Sequence, residues 1–433
     1  MRTVRGYPDP HPAGSPVTAL LPGATVGNIF LPRRNPVQGL FFDGSPGSVG
    51  RNPWCFDYTY FMSPFLSRPL WHAAIFLFLV ALAGCASAPP PAKPVAVPVA
   101  VFYPTPPDPP RVQYLATFTG ERDFAVKLGG FAQFIAGDEQ GKGRTLVTLY
   151  GIALFDGRIY AVDSKAAKIA IFDLVKQQFR LFTGAGAGRL QLPINITIDA
   201  DGTKYVTDTG RNQVLVYDRD DTYQRAYGEK GQFRPVDTAI NGDRLYVIDI
   251  LHHEVQVLNK HTGKLLFKFG QEGPKEGALF QPTNMTIAAN GDVLVADTGN
   301  FRVQRFNGDG KSLRVFGEVG DTPGTFARPK GIAVDRAGRI YVGDAAFQNV
   351  QVFDADGKLL MAFGQPEKGA GMSLPAAVKI DYDNVALFKR YADPKFDVEY
   401  VILVTSQVAP NKIDVFGFGR LAGADYSRDT APR

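Results

Sequence analysis

The chain repeats itself. LVADTGNFRVQRFNGDGKSLRVFG from Leu294 and YVGDAAFQNVQVFDADGKLLMAFG from Tyr341 align without a gap, and weaker copies begin at Tyr160, Tyr205 and Tyr246. Each holds an aspartate at one fixed place, Asp163, Asp208, Asp249, Asp297 and Asp344, spaced 41 to 48 residues apart. A sixth copy, ILVTSQVAPNKIDVF from Ile402, has Thr405 in that place. Within each copy apolar and polar residues alternate over short runs, and Asp-Gly or glycine-rich turns separate the runs. That is the pattern of antiparallel strands joined by tight turns. A unit of about 45 residues holds four such strands, the size of one propeller blade. Six copies predict an all-β fold, a six-bladed β-propeller.

The ends of the copies suggest how the ring closes. An aromatic followed by glycine, directly or after one residue, recurs at Phe118, Phe182, Tyr227, Phe269, Phe316 and Phe363. The first precedes the first aspartate copy, and none follows the last. VQYLATFTG, from Val112, is therefore expected to supply the outer strand of the sixth blade, so that no strand edge is left open to aggregation. The run FARPKGIAVDRAGRIYVGDAAFQNVQVFDADGKLLMAFG, from Phe326, resembles an NHL repeat, and residues 111–420 are similar to the six-bladed NHL propellers of bacterial lipoproteins. The resemblance implies a disc with loops on two faces, used mostly for binding. By itself it implies no reaction.

Ahead of the repeats stands FLFLVALAGCASAPPPAKP, Phe76 to Pro94. The apolar part, Leu70 to Ala83, is shorter than the roughly twenty residues that cross hydrocarbon. It suits the core of a secretory signal, with Arg68 as the preceding positive charge. Leu82-Ala83-Gly84-Cys85 resembles the lipobox of bacterial lipoproteins, which implies that Cys85 is lipidated and anchors the chain to the membrane. Such signals are N-terminal, so Met62 is the expected start and residues 62–84 the signal peptide. Residues 1–61 are then upstream translation or a disordered extension. Residues 85–110 read as a stiff Pro-rich tether, and residues 421–433 as a C-terminal tail. Ala86 after the cysteine favours, by resemblance to sorting in enteric bacteria, the outer membrane.

Charge and cysteine usage narrow the partners. Cys55 and Cys85 are the two cysteines, so the repeats contain neither a disulfide nor a thiolate metal site. The formal charge of the chain is +5, and without residues 1–84 the domain is close to neutral. Nucleic acid is therefore not an expected partner. Arg302, Arg305, Lys311 and Arg314 share one blade, but strand alternation sends them to different sides. There is no Gly-x-Ser-x-Gly elbow and no phosphate loop of the Gly-x-x-x-x-Gly-Lys type.

The inner strands that line a propeller's channel are expected after Pro193, Pro235, Pro282, Pro329 and Pro375, with Leu149 in the equivalent place of the first blade. Two residues on stand Gly151, Asn195, Asp237, Asn284, Gly331 and Ala377. Asn195, Asp237 and Asn284 are thus a candidate site at the channel mouth, since hard cations take carboxylate and amide oxygens. Resemblance to the six-bladed lactonases, which use Asn, Asp and Glu there, implies Ca²⁺ and a hydrolase. The alternative is that these side chains cap backbone groups at strand starts. Propeller lyases imply zinc held by histidines from different blades, whereas His252, His253 and His261 all fall in one blade. The recurring aspartate is expected to serve each blade, accepting backbone N–H bonds in the turn that follows.

Two stretches exceed the repeat. RDFAVKLGGFAQFIAGDEQGKGR, with Phe124, Phe131, Phe134 and Ile135, is expected to fold back as it leads into the first inner strand. NVALFKRYADPKFDVEY reads as a long hairpin whose Phe388, Tyr391 and Phe396 either fold back or meet a partner. The sequence thus predicts a lipid-anchored propeller that binds or assembles with an envelope protein, with a calcium-dependent hydrolase as the alternative.

Overall fold

Strands form because the repeats alternate, and the alternation sorts side chains between neighbouring blades. In the second strand of blade 1, Arg158–Asp163, Ile159 and Ala161 point toward blade 6 while Tyr160 and Val162 point toward blade 2. The third strand, Lys168–Asp173, does the same, with Ala170 and Phe172 on one side and Ile169 and Ile171 on the other. Every blade is therefore apolar on both faces. Six hydrophobic clusters result, one at each junction between blades. Burial of such surface stabilises by about 25 cal/mol per Å².

The computed structural model describes residues 100–124, 146–229, 231–365, 371–408 and 412–427. Among these, five four-stranded antiparallel sheets and one five-stranded sheet are the blades. Their inner strands begin at Leu149, Pro193, Pro235, Asn284, Pro329 and Pro375, touch in ring order, and the sixth meets the first. Helices among these residues are short 3-10 turns, and none is long and apolar enough to cross a membrane.

The recurring aspartate joins two segments of its own blade. Asp208 accepts N–H bonds from Gln191 (2.7 Å) and Leu192 (2.9 Å), just ahead of the inner strand, and from Gly210 and Arg211 in the turn behind it. Asp344 repeats this with Ala327, Arg328, Ala346 and Phe347. Turn capping was the sequence expectation, and the second set of bonds extends it. In blade 6, Thr405 Oγ1 accepts from Ala377 N and donates to Tyr150 O at 2.6 Å, which ties the last blade to the first.

Val112–Phe118 pairs with Ile413–Leu421 as the fourth strand of blade 6, closing the ring as the sequence predicts. The closure goes further than that. Phe102–Tyr103 adds a fifth strand, so the segment read as tether to Pro110 joins the sheet early. Tyr103 is buried against Phe363 and Phe416, and Phe102 packs on Phe396, which explains why the chain adheres there. The C-terminal tail also returns: Tyr426 donates its hydroxyl to Pro110 O at 2.6 Å.

The long hairpin forms only in its second part, where Phe396–Ser406 pairs with Ile413–Leu421 from Phe396 and Leu421 onward. The excess between Asp381 and Phe396 forms two 3-10 turns, Val385–Leu387 and Lys389–Tyr391, packed on the junction of blades 6 and 1. Phe388 and Phe396 are buried in that cluster, and Tyr391 alone of the three is exposed. An apolar turn beside an apolar junction gains more by covering it than by facing water. Phe388 and Phe396 are therefore covered rather than offered to a partner. Phe124 likewise packs on Phe118 and Phe172. Residues 1–61 and 62–84, Cys85, and Phe131, Phe134 and Ile135 lie outside the described residues.

Candidate functional site

The inner strands do not start regularly. In blades 1, 2, 3, 5 and 6 the pairing with the second strand slips within the first three residues, as between Pro193 and Asn195 or Pro235 and Asp237. A bulge re-aims side chains. Here it turns two successive residues of a strand toward the axis, so Ile194 and Asn195 both line the channel mouth.

Asn195, Asp237 and Asn284 do converge on the channel from adjacent blades. What they bind is one another and the backbone. Asn195 Nδ2 donates to Asp237 Oδ1 at 2.7 Å, and Thr238 N donates to the same oxygen at 2.8 Å. Met285 N donates to Asp237 Oδ2 at 2.8 Å, while Asn195 Oδ1 accepts from Ile196 N at 2.9 Å. Gly151 has no side chain because Asn195 fills its place: a Cβ there would lie 2.5 Å from Asn195 Cα. Asp237 is 4 % exposed, and burial pushes its carboxyl up to about 7, against the pull of these N–H donors and of the Lys379 charge. Lys379 is exposed along the channel yet ringed by protein, and that enclosure holds its amine below the usual lysine range.

These residues do not fit Ca²⁺, which takes six to eight oxygens. One carboxylate is present, both of its oxygens already accept N–H bonds, and a lysine stands nearby. The capping reading is what the geometry supports. A second group, Asp249, His252 and Glu254, has ligand atoms within 4.8 Å of one another. It is satisfied internally, with His252 Nδ1 at 2.6 Å from Asp249 and Lys268 at 3.0 Å from Glu254. His253 Nδ1 accepts from Gln281 N and its ring stacks on Phe280.

The feature missed in the sequence lies one residue earlier. Immediately after the proline positions stand Tyr150, Ile194, Val236, Thr283, Lys330 and Ala376, and all six line a cavity of about 310 Å³ at the channel mouth. Lys330 is 7 % exposed, its amine 5.2 Å from the centre of the Tyr150 ring. Burial, then the like charge of Arg328, pushes that amine down to about 8. Among the described residues no carboxylate pairs with Lys330 or Arg328. A lysine in a row otherwise apolar, aromatic or small was the available signal.

The NHL repeat family matches residues 281–306, which form the first three strands of blade 4. No curated protein matches the chain. Among solved structures, a gluconolactonase from Xanthomonas campestris is similar at 16% identity over 76% of this chain and 99% of that one, with a TM-score of 0.50. A protein of unknown function from Bacteroides thetaiotaomicron is similar at 14% identity over 70% and 75%, also with a TM-score of 0.50. Regucalcin, a calcium-binding protein from Agrobacterium tumefaciens, gives 11% identity over 64% and 92%, with a TM-score of 0.46. Identities this low carry the fold alone. With its repeat matched and its blades in a closed ring, the chain is an NHL-repeat six-bladed β-propeller.

Proposed function

We propose that this propeller is a binding module of the bacterial cell envelope, anchored in the membrane through lipidated Cys85 and meeting an envelope protein or its ligand at the channel mouth. The observation that carries the binding reading is the mouth cavity, preformed and lined from all six blades, in which two cationic side chains lack a carboxylate among the described residues. Preformed concave sites with few polar groups are where proteins take ligands. The envelope placement is supported by the order of Arg68, the apolar core and Leu82-Ala83-Gly84-Cys85. Phe388 and Phe396 do not serve as the docking patch, because they are buried at the junction of blades 6 and 1.

Two measurements test the reading. Palmitate labelling of cells expressing the chain should be lost in Cys85→Ala, together with membrane fractionation; retained label would overturn the anchor. Incubation of the purified chain with a panel of lactones and esters, with Ca²⁺ and with EDTA, should give no turnover. Calcium-dependent hydrolysis that disappears in Asp237→Ala would replace the binding module with a hydrolase.

A further inference from the structure

Lys330 presents a physical problem that the fold alone does not solve. The residue is 7 % exposed, it lines the cavity at the channel mouth, and no carboxylate among the described residues neutralises it. Burying an isolated ammonium is costly unless it is paired. Nothing in the blade requires a lysine at this position, since the equivalent residues are Tyr150, Ile194, Val236, Thr283 and Ala376. Blade 6 contributes the smallest of these, Ala376, and sits between Lys330 of blade 5 and Tyr150 of blade 1. The lysine amine crosses this gap to lie 5.2 Å from the centre of the Tyr150 ring. Arg328, two residues earlier and exposed, lines the same cavity. The rest of the lining is apolar or neutral, and includes Ile194, Val236 and Ile250 and the amides of Asn195 and Asn284.

We propose that the mouth cavity is an anion site that takes a carboxylate carried on an apolar body, the carboxylate on Lys330 and Arg328 and the body against Ile194, Val236 and Ile250. The proposal rests on the binding-module reading and names the chemistry of its ligand. Two cations can share one carboxylate, and charge-assisted bonds from Lys and Arg are the strong ones. The cavity volume of about 310 Å³ falls at the small end of ligand pockets, which suits either a small organic acid or the terminal residue of a polypeptide.

The test uses the full chain purified in detergent and isothermal titration at pH 7. The probes are 4-phenylbutyrate against 4-phenylbutyramide, and a hexapeptide ending in phenylalanine with a free C-terminus against the same peptide amidated. The acid forms should bind and the amides should not. Free acid alone binding identifies a small-molecule source, and the peptide binding more tightly identifies a polypeptide C-terminus. In Lys330→Met the Kd of the binding acid should rise at least tenfold, the scale of a hydrogen bond to a charged group, while Lys330→Arg should retain binding. Acid and amide binding equally, no binding of either acid, or an unchanged Kd in Lys330→Met would each overturn the anion site. None of these results touches the lipid anchor at Cys85. Hydrolysis of a phenylbutyrate ester in the cavity would instead overturn the binding module and leave the anion site standing.

Discussion

Asn195 Nδ2 donates to Asp237 Oδ1 at 2.7 Å, and the bond crosses from blade 2 to blade 3 inside the channel. It is one of three N–H bonds that Asp237 accepts, two of them from the backbone. Asp237→Ala leaves three buried donors unpaired, each at about 1–3 kcal/mol. The expected cost is at least 3 kcal/mol, a fall in Tm on the order of 10 °C. The fall should be the same in EDTA and in excess Ca²⁺, because the residue holds the backbone and not a cation. A loss confined to calcium-containing buffer would contradict the capping role.

The same ring makes a prediction about space. A Cβ at Gly151 would stand 2.5 Å from Asn195 Cα, and one at Gly331 would stand 2.6 Å from Val378 N. Both neighbours are backbone atoms that cannot rotate away. Gly151→Ala and Gly331→Ala should each lower Tm by several degrees. Equal stability of the two variants and the parent would mean that the inner strands can part.

How much of this was legible follows from what repeats. The blade number, the closing strand and the proline starts all recur, so they could be counted in one sequence. Phe102–Tyr103 occurs once and looks like the proline-rich segment around it, and only the packing of Tyr103 on Phe363 and Phe416 makes it a strand. The convergence of Asn195, Asp237 and Asn284 could be read from their register, but not their partners, because the donors that fill them are backbone groups of other residues. Lys330 is not legible as a channel residue because strict alternation lets one residue of each pair face the channel, and the bulge lets two. Phe388 and Phe396 show the converse limit: apolar residues in an insertion read alike whether they cover a junction or protrude.

Closure makes a prediction by truncation. Deleting residues 1–93 should leave the Tm unchanged, because the closing strands begin later. Deleting residues 1–118 removes both Phe102–Tyr103 and Val112–Phe118 and leaves Ile413–Leu421 as an open edge. That variant should aggregate and lose cooperative unfolding. A monomeric, cooperatively unfolding product would show that the ring is held by its inner strands alone.

Two buried carboxyls give stability a pH slope. Asp414 sits in the closing sheet at 0 % exposed, and among the described residues neither of its oxygens meets a donor at hydrogen-bond geometry. Burial pushes it, like Asp237, up to about 7, against a weaker pull from the nearby Thr117 hydroxyl, which donates to Ile413 O instead. A raised folded value means that the native state binds the proton more tightly, so this contribution is full below about 4 and is lost as pH rises toward 7. The domain should therefore melt higher at pH 5 than at pH 8. Asp414→Asn should flatten part of the slope and raise Tm at pH 8 by roughly 5 °C. An unchanged slope would assign it elsewhere.

Lys330 titrates in the opposite sense, and this separates its cost from its use. Its amine drops from 10.5 to about 8 in the folded chain, so the native state gives up the proton first. Below pH 8 the folded and unfolded chains both carry the charge, and folding bears the full penalty of burying it, about 3 kcal/mol. Between 8 and 10.5 the native amine is neutral while the unfolded one is still protonated, and the penalty fades. Lys330→Met removes the charge and keeps the stem. It should melt roughly 5–10 °C above the parent at pH 7, and the two curves should converge as pH approaches 10.5. A stabilising substitution that also weakens acid binding would mean that this lysine is retained for a ligand and at the expense of the fold. A variant less stable than the parent at pH 7 would show that the amine already has a partner in the native chain, and would remove the reason for placing an anion there.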